Sequence, residues 1–178
     1  MDTCDLPPLA LSVRQPWAWA IVAGYKPIEN RSWGSIRAGR MDCRKICIHA
    51  AKGLKEDEFQ WGFWRLQEHG VHCPHPTELP RSAIIGVVDV VEIVEESESE
   101  WFGGPCGLVL PNARAIDPIP APGALGYFEW SAGGALAPPA KWMTTFDAPN
   151  GDINTASLFD DLATSFRTLP TRPQRKTR

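Results

Sequence analysis

ALSVRQPWAWAIVAGYKPIENRSW, the stretch from Ala10 to Trp33, predicts a strand, a helix and a second strand in close succession. The apolar run from Leu9 to Val13 favours the first strand. Pro16 suits the start of a helix and Gly24 suits the position just beyond its end, so we expect a helix between them. Ile28 to Trp33 then predicts a short strand. A sharp turn is therefore expected between the helix and this charged second strand.

The charged side chains of this stretch are predicted to converge. Alternate residues of a strand share a face, so Glu29, Arg31 and Trp33 are expected on one side. Lys26 follows the helix end, where the helix dipole favours a cation by about 0.3–1 kcal/mol. Strict alternation would place Lys26 opposite Glu29, so a turn at Pro27 is needed to bring the two together. The alternative is a solvated ion network at a strand entry, which contributes little to stability.

The rest of the chain predicts further strands and one long helix. Leu54 to His69 has apolar residues at helical spacing. Ala83 to Val94 is the strongest strand pattern, and its β-branched residues favour burial on both faces. The other strand candidates are Lys45 to Ala50, Gly107 to Leu110, Ala113 to Ile119 and Tyr127 to Trp130. Many short strands with Gly/Pro-rich turns and two early helices predict an α+β protein built on a small β-barrel.

The composition is that of a globular protein able to form a core without disulfides. The 178 residues are 43% hydrophobic and 22% charged, with a net charge of −3 at pH 7. Proteins that coat long nucleic acid by charge alone are usually basic, so this balance argues against that mode but allows a local basic cleft. Five cysteines, an odd number, suit free thiols in a reducing compartment. With no apolar segment long enough to cross a bilayer, we expect a cytoplasmic protein with no cofactor and no membrane partner.

The last segment differs from the rest in charge. Ser157 to Phe166 predicts a short amphipathic helix. No acid follows Asp161, while five positive charges do: Arg167, Arg172, Arg175, Lys176 and Arg178. The tip of this tail is expected to be disordered. We therefore predict one domain over residues 1–150 and, over residues 151–178, a short helix with a basic tail.

The opening stretch resembles the start of ASCH domains, the activating signal cointegrator homology family of the PUA/EVE/YTH-like superfamily. The resemblance lies in the QPW sequence at Gln15 to Trp17, in the motif GxKxxExR at Gly24 to Arg31, and in the Ser-Trp that follows. It continues in weaker form through KICIHAA, LPRSAIIGVVDVVE, WFGGPCGLVL and GALGYF. It implies a PUA-like small β-barrel with two or three flanking helices and a cleft for a nucleotide, a modified base or a nucleic-acid segment.

The resemblance also implies which side chains line that cleft. The motif and its flanking positions are matched by Gly24, Lys26, Glu29, Arg31, Gln15, Trp17 and Trp33. Arginine offers a planar fork suited to a phosphate or a base edge. Trp17, Trp33 and Trp101 are candidate stacking surfaces, worth roughly 1–3 kcal/mol per base where such stacks are measured.

His49 is a further candidate because its face of the predicted strand could point into the cleft. The alternative for His49 is a hydrogen-bonded histidine of the core. A structural zinc site is not expected, because the spacing of the cysteines and of the remaining histidines matches no common zinc pattern.

Three functions remain open from the sequence. The first, which we favour, is the binding of RNA, DNA or a nucleotide-like ligand in the cleft of a monomer. The second is hydrolysis of a nucleic-acid-derived substrate, as a ribonuclease or an N4-acetylcytidine-type amidohydrolase, with Lys26 and Glu29 as catalytic residues. Such amidohydrolases carry a threonine three residues after the lysine, and the carboxylate of Glu29 does not replace that hydroxyl as a nucleophile. The third is a protein-interaction module of the coactivator type.

Overall fold

The computed structural model describes residues 5–148, which contain eight strands and four helices. The strands are β1 (Leu9–Val13), β2 (Ile28–Arg31), β3 (Lys45–Ala50), β4 (Ala83–Asp89), β5 (Glu92–Val94), β6 (Cys106–Val109), β7 (Arg114–Pro120) and β8 (Tyr127–Glu129). The helices are α1 (Trp17–Val22), α2 (Trp33–Ala38), α3 (Glu56–Glu68) and α4 (Lys141–Thr144). The predicted α+β class is confirmed.

The eight strands form two sheets. One has the order β7-β4-β3-β1-β8, in which β1 and β3 run parallel and every other neighbouring pair is antiparallel. The other is antiparallel, with the order β2-β6-β5. Within residues 5–148 the two sheets do not join by hydrogen bonds into one closed barrel.

A shared apolar core connects the sheets with α1. Leu11 of β1, Ile21 of α1, Ile46 and Ile48 of β3 and Leu108 of β6 are almost fully buried in it. A second cluster lies under α3, where residues at helical spacing bury the apolar face of that helix. Together these clusters hold the ends of β1, β2 and β3 in place, and the candidate site lies at those ends.

Two predicted strands end two or more residues earlier than the sequence pattern indicated. Strand β2 stops at Arg31, because the Oγ of Ser32 accepts a hydrogen bond from Ser35 N and starts α2. The prediction that Trp33 shares a strand face with Glu29 is therefore wrong, since Trp33 begins that helix and packs against the core.

The long strand predicted from Ala83 to Val94 is split into two. Val90 N donates to Arg44 O, whereas Val91 N donates to Val109 O, so the chain passes from one sheet to the other between these two residues. Both halves remain extended, which is why the apolar pattern does not show the break.

The helix predicted from Ser157 to Phe166 and the basic tail lie outside the described residues. No helix within residues 5–148 is long and apolar enough to cross a membrane.

Candidate functional site

A cleft of about 1130 Å³ opens where the parallel strands β1 and β3 end. Ser12 and His49 line it from these strands, Glu29 and Arg31 from β2, and Trp17 from α1. Segments 121–125 and 133–135 complete its wall. Its volume slightly exceeds the range usual for ligand sites, roughly 300–1,000 Å³. The cleft is therefore large enough for a ligand of nucleotide size.

Glu29 lies between two cations at the wall of this cleft. Lys26 Nζ donates to Glu29 Oε2 at 2.7 Å, and Arg31 Nη2 lies 3.0 Å from Oε1. Burial alone would raise the pKa of Glu29, but the charges of Lys26 and Arg31 outweigh it and hold the pKa below its ordinary value of 4.5. The carboxylate is therefore ionised at neutral pH and can only accept hydrogen bonds.

Lys26 reaches Glu29 because the chain turns sharply after α1. Gly24 has a φ of +84°, the left-handed conformation that glycine adopts without strain. The ammonium also donates to Ile28 O at 2.5 Å and lies 5.8 Å from the centre of the Trp17 ring. Lys26 is only 5% exposed and does not line the cleft. Its position behind Glu29 differs from the ligand-contacting position that the motif implied.

Arg31 is only partly engaged by protein groups. Its Nη2 donates to Ser12 O at 3.1 Å in addition to contacting Glu29. Its Nε is buried without a hydrogen-bond partner. Nη1 also has no partner among the described residues, so the guanidinium is held at one end and has donors to offer at the other.

Two further cations of the cleft were not predicted from the sequence. Both line it, Arg14 one residue after the end of β1 and Lys52 two residues after the end of β3. Arg14 pairs with Glu58. The loop of Lys52 is anchored by the buried Arg81, whose Nη1 donates to Lys52 O at 2.7 Å and whose Nη2 donates to Pro138 O at 2.6 Å. A charged residue within two positions of the end of a predicted strand was the sequence signal that could have identified both cations.

Ser12 and His49 form a hydrogen-bonded pair in the cleft wall. Ser12 Oγ lies 3.0 Å from His49 Nδ1, and His49 Nε2 lies 3.0 Å from Ala121 O. Burial lowers the pKa of His49, and the bond to Ala121 offsets this only in part. His49 is thus a hydrogen-bonded buried residue that also borders the cleft, whereas Ser12 was missed by sequence reasoning.

The remaining predicted residues differ in their relation to the cleft. The Trp17 ring makes edge contacts with Trp61 and Trp101, with centroids 5.2 and 6.2 Å apart. Trp101 does not line the cleft and stacks on His69 at 4.2 Å. Gln15 is 1% exposed; its Oε1 accepts from Trp19 N and its Nε2 donates to Pro80 O, which indicates a structural role.

No metal centre is formed by the part of the chain that the structure describes. No group of three or more His, Cys, Asp or Glu side chains within residues 5–148 could hold a metal ion. Burial raises the pKa of Cys47 to about 11 and that of Cys73 to about 12, so both are protonated thiols.

Comparison with known proteins identifies relatives over the region that contains the cleft. The family described as the ASCH domain matches residues 11–134. Activating signal cointegrator 1 of Homo sapiens is 31% identical over 90 residues, which are 49% of this chain and 15% of that protein. The chain therefore spans only a small part of this curated relative.

Two crystal structures of an ASCH protein from Zymomonas mobilis are also similar. The first is 15% identical, with a TM-score of 0.34, over 77% of this chain and 90% of that chain. The second, a serine-to-alanine mutant of it, is 18% identical, with a TM-score of 0.35, over 77% and 91% of the two chains.

Proposed function

Because the chain belongs to the ASCH domain family, we propose that its cleft binds a nucleotide or a short single-stranded nucleic-acid segment. One observation carries this proposal: the partly engaged guanidinium of Arg31 shares the cleft with the ring of Trp17. Arginine supplies donors for a phosphate, and an aromatic ring supplies a surface for a base. These are the two chemical features that nucleotides share.

The charges around the cleft favour an anionic ligand. Arg14, Arg31 and Lys52 line it, while Glu29 is the only acid among the described residues that does. The charge of Glu29 is offset by Lys26 behind it. The cleft is therefore locally positive in a chain whose net charge is −3, which favours an anion at this place over the rest of the surface.

A neighbouring acidic segment favours a short ligand over a long polyanion. Five glutamates lie between residues 92 and 100, directly before Trp101, which contacts Trp17 at the cleft. Glu100 pairs with His69, so this segment is held next to Trp101. Like charge would repel nucleic acid that extends in this direction.

Hydrolysis with Lys26 as general base has less support. The ammonium donates to both Glu29 and Ile28 and does not line the cleft, so it is not placed to take a proton from a substrate or a water molecule there. A positioning role for Lys26, holding Glu29 in its orientation, fits these contacts better.

Titration calorimetry with nucleoside monophosphates and short RNA and DNA oligonucleotides tests the proposal. Arg31→Ala and Lys52→Ala should each weaken binding by roughly tenfold, since each removes a charged donor. Arg37→Ala is the matched control, because Arg37 is exposed and does not line the cleft. Its affinity should equal that of the wild type. Equal affinity in all three variants, or no binding by the wild type, would contradict the proposal.

A further inference from the structure

Ser12 and His49 lie side by side on the same face of the larger sheet. They are register partners in the parallel pair β1 and β3. Segment 121–123 covers the pair: Ala121 O contacts His49 Nε2, and a Cβ at Gly123 would clash with the His49 ring and lie 2.8 Å from Ser12 Oγ. Only glycine allows this close approach, so the imidazole is enclosed by backbone while Ser12 stays half-buried at the cleft.

The contacts of His49 determine which of its nitrogens carries the proton. A carbonyl oxygen only accepts hydrogen bonds, so Nε2 must carry the hydrogen that it donates to Ala121 O. The enclosed ring is neutral and holds a single proton, so Nδ1 has a free lone pair. Ser12 must then donate its one hydroxyl hydrogen to Nδ1. The Ser12 oxygen therefore has only lone pairs to present to a ligand.

We propose that Ser12, fixed as an acceptor by His49, determines ligand specificity by selecting nucleobases that present an exocyclic amino group. This inference rests on the proposed function of the cleft. The ionised carboxylate of Glu29 is a second acceptor in the same cleft, and Arg31 Nη2 contacts both this carboxylate and the backbone carbonyl of Ser12. An amino group has two N–H bonds and can serve two acceptors, whereas the carbonyl of uracil or hypoxanthine would face them with lone pairs only.

When the bound base presents a carbonyl, the acceptors of Ser12 and Glu29 stay unpaired inside the cleft. The cost of these unpaired groups sets the expected size of the base preference. Cytosine and adenine should be preferred over uracil and hypoxanthine by roughly tenfold to a hundredfold. Arg31, Lys52 and Trp17 would contact the phosphate and the ring face in either case. The preference for one base over another thus depends on Ser12, whereas the affinity for any nucleotide depends on Arg31, Lys52 and Trp17.

Dissociation constants for the monophosphates of cytidine, uridine, adenosine and inosine test this inference. The measurement is made at about pH 7.5, where a histidine with a lowered pKa is neutral. Cytidine and adenosine monophosphates should bind more tightly than their uridine and inosine counterparts. Equal constants, or tighter binding of the uridine and inosine forms, would overturn the inference and leave the proposed function standing. Absence of binding by all four would overturn both.

A sugar hydroxyl is the other donor that an acceptor could recognise. Cytidine monophosphate and its 2′-deoxy form should bind alike if Ser12 reads the base. Discrimination between these two, in place of discrimination between cytidine and uridine, would overturn the amino-group assignment.

Two variants separate the roles of Ser12 and His49. Ser12→Ala removes the acceptor, so the dissociation constants of cytidine and uridine monophosphates should differ by no more than about threefold. His49→Phe keeps the serine but frees its hydroxyl to donate into the cleft, so the preference should fall or reverse. Retention of the full preference in His49→Phe would refute the role of His49 in fixing the hydroxyl.

The matched control is Ser131→Ala, which removes an exposed hydroxyl at the rim of the same cleft that has no histidine partner. It should keep the wild-type preference. Circular dichroism checks the fold of each variant. If His49→Phe does not fold, the comparison of Ser12→Ala with Ser131→Ala still decides, since equal preferences in those two would overturn the inference.

Discussion

Glu29 is the residue on which the charges of the cleft depend. It is 8% exposed and is held between Lys26 on the inner side and Arg31 at the cleft. A buried carboxylate needs both its charge partners and its hydrogen bonds, because removal of one leaves a charge that water cannot reach. The three side chains should therefore behave as a unit, and a change in one should alter the others.

Lys26→Met should lower the free energy of unfolding by about 3 kcal/mol, because it leaves Glu29 with Arg31 alone. Urea denaturation measures this change. Lys45→Met is the control: its pair with Asp89 is exposed and 3.6 Å long, so its loss should cost less than about 1 kcal/mol. A Lys26→Met protein of wild-type stability that cannot bind nucleotide would instead show that Lys26 contacts the ligand.

Stability should fall with acid in two stages set by His49 and Glu29. Both pKa values are lowered on folding, from 6.5 and 4.5 respectively, so in each case the unfolded chain binds the proton first. The stability due to His49 is complete above pH 6.5 and is lost as the pH falls towards its folded pKa; that due to Glu29 is lost below pH 4.5. Urea denaturation across this range measures both stages.

His49→Asn should remove the first of these stages, whereas His72→Asn should keep it, because His72 is an exposed histidine. If the first stage of the stability loss is unchanged in His49→Asn, that stage comes from the titration of another group.

At the scale of elements, short caps and turns decide where the cleft walls begin. Strand β2 ends at Arg31 because Ser32 caps α2, with Oγ accepting from Ser35 N at 3.1 Å. The cap turns the chain away from the strand direction directly after Arg31. Arg31 is therefore the last residue of β2 whose side chain lines the cleft.

Ser32→Ala should lower the free energy of unfolding by about 1 kcal/mol, since it removes the side-chain acceptor of the helix cap. Ser32→Asp keeps an acceptor and should stay within about 0.5 kcal/mol of the wild type. Thermal or urea unfolding distinguishes the two. Equal losses in both variants would mean that Oγ does not act as a cap.

At the scale of the whole molecule, two places carry the positive charges that we expect to contact phosphates. One is the cleft, lined by Arg14, Arg31 and Lys52. The other is the segment after Asp161, which carries five positive charges and no acid. Attraction between these charges and phosphates is screened by salt, so the two places can be separated by the salt dependence of binding.

Deletion of residues 162–178 should leave mononucleotide affinity unchanged, because the side chains proposed to contact a mononucleotide, Arg31, Lys52 and Trp17, all lie before that segment. Affinity for a single-stranded RNA of about 20 nucleotides should fall, and its salt dependence should flatten by a slope of up to about 3.5, at roughly 0.7 for each lost phosphate contact. Fluorescence titration at several salt concentrations gives both values. Loss of mononucleotide binding on deletion would contradict the assignment of mononucleotide binding to the cleft and of additional phosphate contacts to the basic segment.

The sequence by itself determined most of the elements, because their signals are local. The strand at Leu9–Val13, the helix end at Gly24 and the strand at Lys45–Ala50 all follow from residues within a few positions. Ser32 was a local signal for α2 that the strand pattern hid. The split after Ala83–Asp89 was not predictable in this way, since the partners on either side of it, Arg44 and Val109, come from distant parts of the chain.

Only the tertiary structure decided what faces the cleft. Glu29 and Arg31 were predicted together because strand alternation is a local rule. The burial of Lys26 behind them, and the pairing of Ser12 with His49 across 37 positions, depend on how separate elements pack. Hydrogen bonds and charge interactions act through space over a few ångströms, and sequence patterns record only distance along the chain. The residue types and the expectation of a cleft therefore came from the sequence, whereas the choice of side chains that line the cleft depends on packing.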